Sequence, residues 1–142
     1  MLYESRPVGV IIEASAQAVY DYASDPTKLP EWARGLAGAT VEHADGRWFS
    51  DSPMGRVEIA FAPRNDFGVL DHVVTLPNGE ATLNPMRVIP NGDGAEVMFI
   101  VRKRAGMTFE QWDADCAAVA DDLESLRLLF EGDATLRDQL LP

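Results

Sequence analysis

The sequence predicts an α+β protein in which an antiparallel sheet of seven strands covers one long C-terminal helix. Three observations predict it. Between Met107 and Gly132, apolar residues recur at Trp112, Cys116, Val119, Leu123, Leu126 and Phe130, with spacings of four, three, four, three and four. That pattern keeps one stripe on one side of an α-helix, which the period-two alternation of a strand cannot do. From Ala39 to Arg104, turn signals fall at Asp45-Gly46, Pro53-Met54-Gly55, Asn65-Asp66-Phe67-Gly68, Pro77-Asn78-Gly79 and Pro90-Asn91-Gly92-Asp93-Gly94, about nine to fourteen residues apart. This is the rhythm of a meander of hairpins. Between the turns the residues alternate, so that Val57, Ile59 and Phe61 oppose Arg56, Glu58 and Ala60. One face of such a sheet is dry and the other wet.

Each element has its own local cause. Pro7–Ile12 is a β-branched run of strand type. Ser15 is placed to cap a helix whose apolar side is Ala18, Val19, Tyr22 and Ala23. Asp25-Pro26 restarts a second, shorter helix, which Pro30 limits and which ends before Gly38. The remaining strands are expected at Ala39–His43, Arg47–Ser52, Arg56–Ala62, Val69–Leu76, Glu80–Ile89 and Glu96–Arg102. In the last of these Val97, Phe99 and Val101 face inward; in Glu80–Ile89 the inward set is Thr82, Asn84, Met86 and Val88. Val69–Leu76 is ambiguous, because either face carries one polar residue. Burying an imidazole costs less than burying a carboxylate, which turns His72 inward and leaves Asp71 outside to pair with Arg87.

The long helix is marked at both ends. Thr108 and Gln111 form a capping box, Met107 and Trp112 a hydrophobic staple, and Gly132 a C-cap. At 1.5 Å rise per residue the helix is about 33 Å long, enough to cross a small domain. Asp113, Asp115, Asp121, Asp122 and Glu124 read as its solvated surface. Residues Asp133–Pro142 read as a short tail.

Composition narrows the function. The 142 residues fit one domain with a real core, 1–142. Hydrophobic residues at 46% and charged residues at 25% describe a globular chain, not a disordered one. A net charge of −11, with 23 acidic against 12 basic residues, repels phosphate backbones and anionic lipid surfaces. The one basic run, Arg102-Lys103-Arg104, reads as a solvated strand end. Neither nucleic acid nor a membrane is an expected partner, and no apolar run has the length of a membrane span. The single cysteine, Cys116, falls on the dry stripe and reads as a buried thiol. No secretory leader is visible at the start, so a cytoplasmic location is expected. His43 and His72, far apart and with one buried cysteine, offer no metal-ligand spacing. Asn91-Gly92-Asp93-Gly94 sits between strands rather than before a helix, so it is no phosphate loop.

Several stretches carry a family resemblance. They are Ile12-Glu13-Ala14 with Ala18-Val19-Tyr20-Asp21-Tyr22, the corner Ser24-Asp25-Pro26-Thr27-Lys28-Leu29-Pro30-Glu31-Trp32, and Phe67-Gly68-Val69-Leu70-Asp71-His72. Pro85-Met86-Arg87-Val88 and Gly106-Met107-Thr108 support them. Over about Pro7 to Gly132 the chain resembles the START/Bet v 1-like superfamily (SRPBCC proteins), within it the bacterial polyketide cyclase/dehydrase-like group. The resemblance implies a helix-grip fold, a curved sheet wrapped round the C-terminal helix with a cavity between them and the two short helices at its mouth. It implies a hydrophobic, polyketide, aromatic or lipid-like ligand and no cofactor.

Residues expected to line that space are Trp32, Trp48, Phe61, His72, Asn84, Met86, Phe99 and Val119. Each also has a plain packing role. His72 is the candidate for acid, base or carbonyl-orienting chemistry, against a core histidine satisfied by a neighbour such as Asn84. Three roles stay open: a cofactor-free cyclase or dehydratase, a non-catalytic carrier or sensor, and a chaperone-regulator-like interaction module using the outer sheet face around Met98 and Ile100. Association into a homodimer is compatible with each.

Overall fold

The computed structural model describes residues 1–36 and 38–132; the expected tail, Asp133–Pro142, lies outside the described residues. Strand β1 (Ser5–Ile12) leads into helix α1 (Ala16–Ala23), a 3-10 turn at Pro26–Lys28, helix α2 (Leu29–Trp32) and a second 3-10 turn at Arg34–Leu36. Then come β2 (Val41–Ala44), β3 (Arg47–Ser52), β4 (Gly55–Phe61), β5 (His72–Thr75), β6 (Ala81–Asn84), β7 (Met86–Asn91) and β8 (Gly94–Arg102). Helix α3 (Phe109–Gly132) closes the order.

The caps form where local chemistry places them. The Ala18 N–H donates to Ser15 Oγ at 3.3 Å, and Thr27 N–H to Asp25 Oδ1 at 2.9 Å. At the start of α3, Gln111 N–H donates to Thr108 Oγ1 at 3.1 Å while Thr108 N–H donates to Gln111 Oε1 at 2.9 Å. Two orphan amides of the first turn are thereby satisfied. Along α3, Trp112, Cys116, Leu123, Leu126 and Phe130 are buried and Val119 is half-buried. The stripe rests on β1 and β8 and, further along, on α2.

All strand pairings are antiparallel, in two ladders: β1-β8-β7 and β2-β3-β4-β5-β6. The expected seven strands are therefore eight, because Glu80–Ile89 is divided at Pro85. Ile100 N–H donates to Pro85 O at 3.0 Å, and proline has no N–H to return to Ile100. The bond to β8 ends there, and β6 runs on paired with β5 alone. Pro7 interrupts nothing. The Lys103 N–H bond to Glu4 O, at 2.8 Å, sets the alternation that points the Pro7 nitrogen away from β8, toward the free edge.

The segment before β5 keeps the two ladders in one register. Val69 bridges Arg87, Leu70 N–H donates to Met86 O and Val88 N–H donates to Gly68 O, each bond 2.9 Å. Gly68 has φ +70°, and a Cβ there would stand 2.1 Å from Val88 O, so only glycine lets the strands close. Leu70 and Met86 ought to exchange a second bond. Instead Met86 N–H donates to Asp71 Oδ1 at 2.9 Å, and Asp71 lies 3.7 Å from Arg87 Nε on the outer side. The sheet is thus one curved surface with a seam at Asp71 and Pro85.

Candidate functional site

Opposed residues in antiparallel strands point to the same face, so the register defines rows across the concave side. One row runs Phe61, His72 and Asn84 across β4, β5 and β6. Beyond the seam Met86, Phe99 and Val8 face the same way across β7, β8 and β1. The two are joined by aromatic contact. The His72 ring lies 5.1 Å from that of Phe61 and 5.7 Å, edge-on, from that of Phe99. The fold thus brings together Phe61, His72, Asn84, Met86 and Phe99 of the expected lining, and adds Val8.

His72 faces inward and keeps 9% of its surface exposed. Its partner is not Asn84, although the two are opposed; Nδ1 stands 2.9 Å from Leu70 O. That carbonyl is free because its ladder donor, the Met86 N–H, has gone to Asp71. A carbonyl only accepts, so Nδ1 carries the proton and Nε2 presents a lone pair. Burial, outweighing the Leu70 bond and the charge of Asp71, holds the imidazole below its usual pKa. At neutral pH the ring is uncharged, with Nε2 making no hydrogen bond among the described residues.

A second row runs His43, Trp48, Ile59, Val74 and Thr82 across β2 to β6. Ile59 is buried, Trp48, Val74 and Thr82 are half-buried, and His43 is exposed. The His43 ring stacks on Trp48 at 4.3 Å and 9°. Nothing in the sequence signalled that stack, since it depends on the β2–β3 register.

Trp32, on α2, is buried in the same core cluster as Ile59, Met86 and Phe99 of these rows, with 4% of its surface exposed. Its indole N–H has no acceptor among the described residues. Among the described residues it is alone in this among side-chain nitrogen and oxygen atoms fully shut off from solvent. The Trp112 N–H, for comparison, reaches Val101 O at 3.2 Å. Val119 lies half-buried on α3.

The acidic face of α3 is not wholly solvated as expected. Asp122 accepts the Arg34 N–H at 3.0 Å, tying the corner after α2 to the helix, and burial pushes its carboxyl above the usual range. Asp113 pairs with Arg6 at 2.8 Å, whose guanidinium lies over Trp112. Among the described residues no group of three or more His, Cys, Asp or Glu side chains is placed to hold a metal ion. No described helix is long and apolar enough to cross a membrane.

A curved antiparallel sheet, a long C-terminal helix gripped against one part of it and two short helices after the first strand define the helix-grip class of α+β fold. No family model matches the chain, and no curated protein matches it in sequence. Solved structures match it in shape. XoxI from Bacillus cereus superposes with a TM-score of 0.66 over 92% of this chain and 96% of that one, at 15% identity. Ara h 8.0201 gives 0.67 over 93% and 100%, at 7% identity. DynU16, a protein in the dynemicin biosynthetic locus, gives 0.68 over 89% of this chain but 47% of its own, at 13% identity. At these identities the likeness is one of fold, and that fold is the Bet v 1-like one.

Proposed function

We propose that this chain, as a single domain in the cytoplasm, binds an apolar, partly oxygenated small molecule of the polyketide, aromatic or lipid-like kind between the sheet and α3. The observation that carries this is the buried Trp32 N–H without an acceptor. Leaving such a donor unpaired costs about 1–3 kcal/mol, which an acceptor atom on a ligand recovers. His72 complements it with an unpaired Nε2 between two aromatic rings. The bound molecule would meet one donor and one acceptor within mostly apolar surroundings, the usual make-up of a small-molecule site. DynU16, from a biosynthetic locus, fits the same chemistry.

His72 is also what makes turnover chemically reasonable. A neutral imidazole with a free lone pair in a dry setting takes a proton from an acidic C–H or O–H and returns it, the step that cyclisation and dehydration require. A carrier uses the same contacts without that transfer. The outer face supports a second reading, an interaction module, because Ile11 and Ile89 stand 61% and 44% exposed on either side of Glu96.

Native mass spectrometry of the gently desalted protein tests the proposal. The wild type is expected to carry a small-molecule adduct, lost in His72→Ala and in Trp32→Phe. Trp32→Phe should unfold within about 1 kcal/mol of the wild type, since lost indole packing and a removed unpaired donor oppose each other. A wild type that carries no adduct and takes up no apolar dye overturns the binding proposal and leaves the outer face as the surface to test.

A further inference from the structure

We propose that the ligand is an acid, and that Arg104 holds its carboxylate at the rim of the concave face. This deepens the binding proposal above and rests on it. Six arginines, Arg6, Arg47, Arg56, Arg64, Arg87 and Arg127, each have a carboxylate within ion-pair distance. Arg104, like Arg34 and Arg102, has none among the described residues, in a chain where acidic residues outnumber basic ones 23 to 12, and of these three it is the one bonded to a concave-row side chain. Its one partner is Thr82, whose Oγ1 accepts from Nη1 at 3.2 Å. Thr82 ends the second concave row, after Trp48, Ile59 and Val74. Arg104 belongs to the loop between β8 and α3, so its side chain reaches from the helix side of the grip across to β6.

The row is therefore graded. The stacked His43 and Trp48 rings begin it, aliphatic side chains continue it, and a hydroxyl with an uncommitted guanidinium ends it. From Trp48 to Thr82 the row spans three strand spacings, about 14 Å. A molecule lying along it would have an apolar body and an anionic end. A guanidinium already bonded once keeps further N–H groups for a carboxylate, which it can meet with two parallel bonds. Arg102 and Lys103 beside it offset locally the negative field that would repel such a ligand from the rest of the surface. Arg102 itself is directed elsewhere: it donates to Ser5 Oγ at 3.0 Å, on the outer side with Ile100.

The test is displacement of the fluorescent amine N-phenyl-1-naphthylamine from the full chain at pH 7.5, by decanoate and by decanol. These two share an apolar body and differ in the charged end. In the wild type decanoate is expected to displace the probe at about one-fifth the concentration of decanol. Arg104→Gln should erase that preference while leaving the probe and decanol unchanged. Arg102→Gln, which removes the same charge from the neighbouring position, should retain it. If the probe and decanol bind but decanoate gains nothing, or keeps its advantage in Arg104→Gln, the carboxylate inference is overturned and the apolar site stands. If the wild type binds neither the probe nor decanol, the binding proposal itself fails, and this inference with it.

Discussion

His72 shows how one side chain's chemistry is decided by its neighbours' backbone. Its inward orientation was legible, because the alternatives on that strand were an imidazole and a carboxylate and the costs of burying them differ. Its partner was not. The Leu70 carbonyl is available only because a carboxylate on the next residue has taken the Met86 amide, an exchange between positions 15 apart in sequence. The pKa shift has a measurable sign. The folded pKa lies below the unfolded value of 6.5, so the neutral form stabilises the native state fully above that pH. As pH falls below 6.5, the unfolded chain takes up a proton that the native state resists, and stability declines with a slope of at most about 1.4 kcal/mol per pH unit. Urea unfolding at pH 7.5 and 5.5 should show this loss in the wild type and a smaller one in His72→Gln.

Among the elements, the capping box of α3 and the seam at Pro85 mark opposite limits of what sequence reveals. Thr108 and Gln111 are three residues apart, and their bonds close within one turn, so the pattern contains the whole cause. Pro85 lies in an alternation that runs through it undisturbed, with Thr82, Asn84, Met86 and Val88 on one face. Only the pairing with Ile100 shows which bond the proline removes. The seam's strength rests on Asp71. Asp71→Ala leaves the Met86 N–H without its acceptor and should cost about 1–3 kcal/mol in chemical denaturation. Asp71→Asn keeps an oxygen in place and loses only the half-exposed attraction to Arg87, so it should cost under about 1 kcal/mol. Equal losses for the two would mean that charge, not the hydrogen bond, holds the strands together. The contact of Arg104 is hidden for a related reason, since a basic run at a strand end gives no sign of the threonine 22 residues away that one member reaches.

For the molecule as a whole, the helix-grip architecture was readable because it follows from one stripe and a series of turns, whereas the division of labour within the sheet was not. Helix α3 rests on β1, β8 and α2. The β2–β6 ladder joins that body through the segment Gly68–Leu70, the Asp71 carboxylate and the contacts of its concave side chains. Amide exchange should accordingly fall into two tiers. The amides of β8 and the buried side of α3 should exchange only with global unfolding, and those of β5 and β6 at least about tenfold faster. A single uniform tier would mean that the seam transmits cooperativity fully. The seam then has a mechanical meaning. Load passed from the five-stranded piece to the helix-bearing one crosses a line held by the Gly68–Val88 and Leu70–Met86 bonds and one carboxylate, so that line is where the two tiers of exchange should divide.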